Sequence, residues 1–108
     1  TIQSSQVRIF KDDEYAKLGL TVLDEVTDAD VLFGVKEVPM NMLLENKTYF
    51  FFSHTTKEQP YNRELLRTIL AKNIRMIDYE GLTNERGIRL IGFGYYAGIV
   101  GAYNGMMA

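Results

Sequence analysis

The chain contains no cysteine and a single histidine, His54. Without cysteine there is no disulfide framework and no thiolate nucleophile, and one histidine is too few for a typical zinc site. Neither a metal centre nor thiol redox chemistry is expected. An excess of charge is also lacking: twelve basic residues against fourteen acidic ones leave a formal charge of -2, with no basic block. A phosphate backbone would find little to hold, so nucleic acid is not an expected partner. Long apolar runs are missing as well. Nothing approaches the roughly 18 residues of a membrane span. The opening TIQSSQ has neither the charged start nor the apolar middle of a signal peptide. The expectation is a soluble cytoplasmic protein with no membrane partner.

What the sequence does have is material for one core. Of its 108 residues, 46% are hydrophobic, which suits a single domain, and no repeat, linker or low-complexity segment interrupts it. The segment DDEYAKLG places acids first, a lysine near the end and a glycine after it, the order that complements a helix dipole; it predicts a helix from about Asp12 to Leu18. LTVLDEV reads as a strand. DVLFGVK reads as a more deeply buried one, because its apolar residues run almost continuously, as they do in parallel sheets covered on both faces. Between Lys36 and the next strand lie the eleven residues Glu37 to Lys47, about the minimum for a parallel crossover. In that stretch Pro39 suits a first helical turn, and Met40, Leu43 and Leu44 share a face.

TYFFFS is the most apolar run of the chain, and its three phenylalanines read as core. PYNRELLRTILAKN follows with Leu65, Leu66, Ile69 and Leu70 in a stripe and Arg63, Arg67 and Lys72 outside it, an amphipathic helix. IRMIDY then predicts a strand, TNERG a turn and IRLIGF a further strand, before GYYAGIVGAYNGMMA ends the chain as a small-residue helix suited to close packing. Alternating β and α elements imply an α/β fold: a single domain with a doubly wound, mainly parallel sheet, helices on both faces, flavodoxin-like or Rossmann-like.

In such sheets ligands bind beyond the carboxyl ends of the strands. Three successive predicted strands end there in ionisable groups: Lys36 with Glu37, then His54, then Asp78 with Glu80. Each one alone is what a strand looks like where it returns to water. If the strands are parallel neighbours, all five groups meet on one rim, where mutual fields can separate acid and base roles. GFGYYA, Gly92 to Ala97, matches a variant of the dinucleotide fingerprint. It lacks the acidic residue about 20 positions further on that a working site needs, because only eleven residues follow Ala97. Glycines that allow a helix to pack closely explain it better.

The segments DDEYAKLG, ADVLFGVKEVP, KTYFFFSHTTKEQPYN, IRMIDYE and RLIGFGYYAGIVGAYNG, in unbroken order, resemble the amino-terminal, substrate-binding part of the lysine-forming saccharopine dehydrogenases and lysine–2-oxoglutarate reductases. That part shares its fold with alanine dehydrogenase and the transhydrogenase domain. The resemblance implies an NAD- or NADP-dependent oxidoreductase that joins lysine to 2-oxoglutarate through an imine, or runs the reverse. It puts Lys36 and His54 where the family keeps its acid-base pair, and Glu37 and Glu80 where carboxylates tune that pair. Gln59 falls at a polar substrate contact and Arg89 where a guanidinium receives a substrate carboxylate. It also implies that the family's first strand precedes Thr1 and that the NAD(P)-binding domain, against which this one packs, follows Ala108. On that reading the 108 residues are a fragment that does not transfer hydride alone. An alanine-dehydrogenase-like enzyme and a non-catalytic amino-acid-binding module remain the alternatives.

Overall fold

A computed structural model describes residues 1–108. Its elements follow in the order β1 (Ile2–Gln3), α1 (Asp12–Lys17), β2 (Val22–Leu23), β3 (Val31–Phe33), β4 (Thr48–Phe51), α2 (Arg63–Ala71), β5 (Arg75–Asp78) and α3 (Gly94–Met107). Every strand pairing is parallel, and the class is α/β as expected. The sheet comes in two pieces, β1 with β2 and β3-β4-β5. A hollow of about 440 Å³ lies where Gln3 of β1 approaches Leu32 and Phe33 of β3.

Helix α1 starts as its sequence requires. Asp12, Asp13 and Glu14 fill the first turn, and the Glu14 carboxylate turns back to accept the Lys11 backbone N–H at 2.7 Å. Gly19, at φ 78°, takes the left-handed conformation after the last turn. The helix buries no residue, so its role is to carry the chain from β1 to β2.

The core forms where β4 meets α2. Strand β4 alternates, with Tyr49 and Phe51 buried, and these two side chains join Leu65 and Ile69 of α2 and Leu43 of the preceding loop. The continuous apolar run predicted cover on both faces, but the second face has a different fate. There Phe33 stacks on Phe50 at 4.5 Å between ring centres, while Phe52 meets Tyr79 edge-on at 5.1 Å and Phe93 at 6.1 Å. This aromatic layer has no helix over it, and Phe33 is 73% exposed. Helix α3 forms over the expected residues yet buries none of them.

Two local expectations are corrected. The crossover from β3 to β4 contains only a 3₁₀ turn, Met40–Met42, where a helix was expected. Leu43 is already extended, and side chains take up the backbone groups that a helix would have paired: the Tyr49 hydroxyl accepts the Leu44 N–H at 2.9 Å, and Lys72 donates to the Leu43 carbonyl. The predicted strand IRLIGF is not a strand. Asn84 Oδ1 accepts the N–H groups of Arg86 and Ile88, Gly87 lies at φ 73°, and the arm folds back to make a single antiparallel bridge, Thr83 to Arg89. That local turn captures the segment before it reaches the sheet, leaving Ile88 and Leu90 exposed.

Candidate active site

The register of the three-stranded sheet sets the positions of the rim. Phe33 lies opposite Phe50, Phe50 opposite Ile77, and Phe51 opposite Asp78, the last pair of the ladder. A further bond, Phe52 N–H to the Val35 carbonyl at 3.1 Å, carries β3 and β4 one step beyond the named strands. Past this line the three chains leave the sheet from one edge, taking Glu37, His54 and Glu80 with them.

His54 sits at φ 53°, a backbone conformation that residues with a Cβ seldom adopt. Two contacts hold it there: Asn62 Nδ2 donates to its carbonyl at 3.1 Å, and its ring lies nearly parallel to that of Phe52, 6.4 Å away. The imidazole has one carboxylate oxygen near each nitrogen, Glu37 Oε1 at 3.6 Å from Nε2 and Glu80 Oε1 at 4.0 Å from Nδ1. These are charge contacts and not hydrogen bonds, which leaves both nitrogens available to a ligand. The ring is one-third exposed, so it can be reached from solvent.

Glu80 is the inner member, with its side chain only 7% exposed. Arg89 Nη2 approaches it at 3.0 Å and Lys57 Nζ at 3.6 Å, and the Thr56 hydroxyl donates to it at 3.2 Å. Burial pushes its pKa up. The Thr56 hydrogen bond and the charges of Lys57, Arg89 and His54 outweigh that and hold it below the ordinary carboxylate range. Glu80 is therefore an anion fixed among cations. Asp78 stands behind it, accepting the Glu80 backbone N–H at 2.8 Å on one oxygen and the Ser53 hydroxyl on the other.

Four of the sequence-predicted site residues, Glu37, His54, Glu80 and Arg89, are thus brought into one cluster. Lys36 lies on the same loop as Glu37 but is exposed and makes no ion pair within 4.0 Å. Gln59 is half-buried next door: the Tyr61 hydroxyl donates to it, and it lines a hollow of about 350 Å³ with Thr55, Arg63 and Asn62. Sequence reasoning did not pick out Thr56, Lys57 or Asn62. The signal for Lys57 was present, a cation three residues after the histidine, but only the turn at residues 55–58 makes it face Glu80. At Gly92 and Gly94 of GFGYYA an added Cβ would meet no protein atom within 4 Å, so these two glycines do not mark close packing within this chain.

Comparison with known proteins gives the site its context. Residues 1–100 match the family model described as alanine dehydrogenase/PNT, N-terminal domain. The chain is 43% identical over 103 residues to a protein of Rattus norvegicus named alpha-aminoadipic semialdehyde synthase, mitochondrial, covering 95% of this chain and 11% of that protein. It is 38% identical to the alpha-aminoadipic semialdehyde synthase of Arabidopsis thaliana, over 93% of this chain and 9% of the relative. With the saccharopine dehydrogenase [NAD(+), L-lysine-forming] of Schizosaccharomyces pombe it shares 37% identity, over 94% of this chain and 29% of the relative. The chain thus spans between about a tenth and three-tenths of the length of these relatives.

Proposed function

The chain belongs to the alanine dehydrogenase/PNT N-terminal domain family, and from that premise we propose that it is the substrate-side domain of an NAD(P)-dependent oxidoreductase acting on the C–N bond of saccharopine. The observation that carries this reading is the imidazole of His54 with a carboxylate at each nitrogen, on the rim of a parallel sheet. The nicotinamide-binding part of the protein lies outside these residues, packs against them and supplies the hydride chemistry. What this chain contributes is proton transfer and substrate binding.

The chemistry requires such groups. A protonated secondary amine cannot give up hydride, so a base must first take its proton; water attacking the resulting imine must then be deprotonated and the departing amine protonated. Lys36 and His54 share these duties, and Glu37 and Glu80 tune them. The exposure of Lys36 suits a group that meets substrate when the facing domain closes over the rim. Arg89 uses one terminal nitrogen on Glu80 and keeps the other donors of its planar fork for a substrate carboxylate, a two-point contact that lysine cannot make. Gln59 offers a polar contact from the adjoining hollow.

The test is NADH and NADPH oxidation by the protein carrying its cofactor domain, with lysine plus 2-oxoglutarate and separately with ammonia plus pyruvate. Turnover with the first pair alone is expected. The family description also names alanine dehydrogenase, and turnover with the second pair alone would move the protein to that branch. No turnover with either, together with calorimetric binding of an amino acid in the absence of cofactor, would replace the enzyme by a binding module.

A further inference from the structure

Asp78 is half-buried and pairs with no cation within 4.0 Å. Its two oxygens are nevertheless both engaged. Oδ2 accepts from the hydroxyl of Ser53, which is fully buried, and Oδ1 accepts the backbone N–H of Glu80 at 2.8 Å. Ser53 immediately precedes His54. Its oxygen also accepts the Thr55 backbone N–H at 3.2 Å and lies 2.7 Å from the Thr55 hydroxyl, which braces both sides of the histidine. One carboxylate therefore joins the segment that carries His54 to the turn that carries Glu80.

The position in the ladder explains why such a tie is needed. Phe51 opposite Asp78 is the last backbone pair of β4 with β5. Beyond it the chains diverge, and no backbone bond fixes the distance between residue 54 and residue 80. Glu80 enters a 3₁₀ turn, Tyr79–Gly81, for which Asp78 is the capping residue. His54 enters a left-handed backbone conformation that its neighbours must hold. Besides the tie, only two exposed side chains, Thr56 by a hydrogen bond and Lys57 by an ion pair to Glu80, and the edge-on packing of Phe52 on Tyr79 join the two segments near the 4.0 Å approach of Nδ1 to Glu80. Of these links the tie alone runs through a fully buried side chain next to His54.

We propose that Asp78, acting through Ser53, is a positioning residue that fixes His54 against Glu80. It touches no substrate and transfers no proton. The inference deepens the reading of His54 as a proton carrier and rests on that reading for its effect on rate, though not for its effect on geometry.

The experiment uses Ser53→Ala and Asp78→Ala. The first removes the hydroxyl with little change of volume. The second removes the acceptors for both the Ser53 hydroxyl and the Glu80 N–H. His54 is the only histidine in the chain, so its ring protons can be assigned directly in a proton NMR spectrum of residues 1–108. The expected result is loss of the cross-relaxation between the His54 ring and the Glu80 side chain, with the far-ultraviolet circular dichroism kept and the thermal midpoint lowered by several degrees. In the enzyme with its cofactor domain, turnover of lysine plus 2-oxoglutarate should fall about tenfold or more while KM moves little, the pattern of a misplaced catalytic group. Retention of the ring contact in both variants overturns the proposal, whatever happens to the rate. So does a lost contact with undiminished turnover. If Ser53→Ala fails to fold, Asp78→Ala alone decides. If the unsubstituted enzyme does not turn over this substrate pair, the functional reading fails while the ring contact still decides the positioning role.

Discussion

Replacing Glu80 by glutamine should destabilise the domain near neutral pH and lose most of that effect in acid. The carboxylate interacts with Arg89 at 3.0 Å and Lys57 at 3.6 Å. Two unit charges at such a distance attract by about 5 kcal/mol at an effective dielectric of about 20. Arg89 is half-exposed and Lys57 somewhat more, so water screens both, and each pair contributes about 1 kcal/mol or less net. The amide keeps the shape of the side chain and an oxygen for the Thr56 hydroxyl. The expected loss at neutral pH is therefore about 1–2 kcal/mol. Its pH dependence follows from the direction of the shift. Folding lowers the Glu80 pKa, so the stability this group contributes is fully present above its unfolded pKa and is lost as pH falls through the lower, folded value. Asp12 and Asp13 are lowered as well, by hydrogen bonds from Ser4 and Lys17, but they are common to both proteins and cancel in the difference. Urea unfolding of the two proteins from about pH 7 to about pH 3 would show the gap close. A gap that stays constant or widens in acid would refute the assignment of Glu80 as a buried anion held by its cations.

His54→Ala in the enzyme with its cofactor domain should cost at least about tenfold in turnover while leaving the far-ultraviolet circular dichroism unchanged; an undiminished rate removes His54 from the mechanism. Phe51→Ala should destabilise the chain by about 3–5 kcal/mol, because Phe51 is fully buried against α2. Phe33→Ala, on the open aromatic face, should cost well under half as much, and equal midpoints in urea would contradict the description of the core. Arg89→Lys should raise the KM for 2-oxoglutarate by about tenfold with a smaller change in kcat, since a single-point contact replaces a fork. An unchanged KM would place the carboxylate elsewhere.

The parts of this molecule that were legible in the sequence are those set by a period. The stripe Leu65, Leu66, Ile69, Leu70 fixes α2, and two of its members reach the core. The apolar runs around Leu32, Phe50 and Met76 fix three parallel strands, and parallel neighbours oblige Glu37, His54 and Glu80 to leave from one edge. That is a topological consequence and needs no side-chain detail. Where local hydrogen bonding competes with the pattern, the pattern misleads. IRLIGF alternates like a strand, yet Asn84 captures its neighbours' N–H groups in a turn. Pro39 and the leucines after it suggest a helix, yet Tyr49 and Lys72 take the backbone groups instead. β1 was not foreseen, since two residues, Ile2 and Gln3, are too few to show a period. Arg89 joins the cluster from a folded-back arm and not from a strand end.

The charges of the cluster suggest why Glu80 is buried and Glu37 is not. Glu80 faces Arg89, Lys57 and His54 at once, while Glu37 faces His54 alone with its side chain 35% exposed. Under the proposed reading, an incoming carboxylate binds the donors of Arg89 that Glu80 leaves free, and draws the guanidinium partly away from Glu80. Glu80 then keeps Lys57 and the Thr56 hydroxyl, so it need not gain a proton when Arg89 turns part of its fork to the substrate. On that reading the anion beside Nδ1 is kept through binding, and the other nitrogen, Nε2, faces the more exposed Glu37. A site with one carboxylate would have to choose between holding the arginine and orienting the ring. Two carboxylates, one buried among cations and one near solvent, separate those tasks.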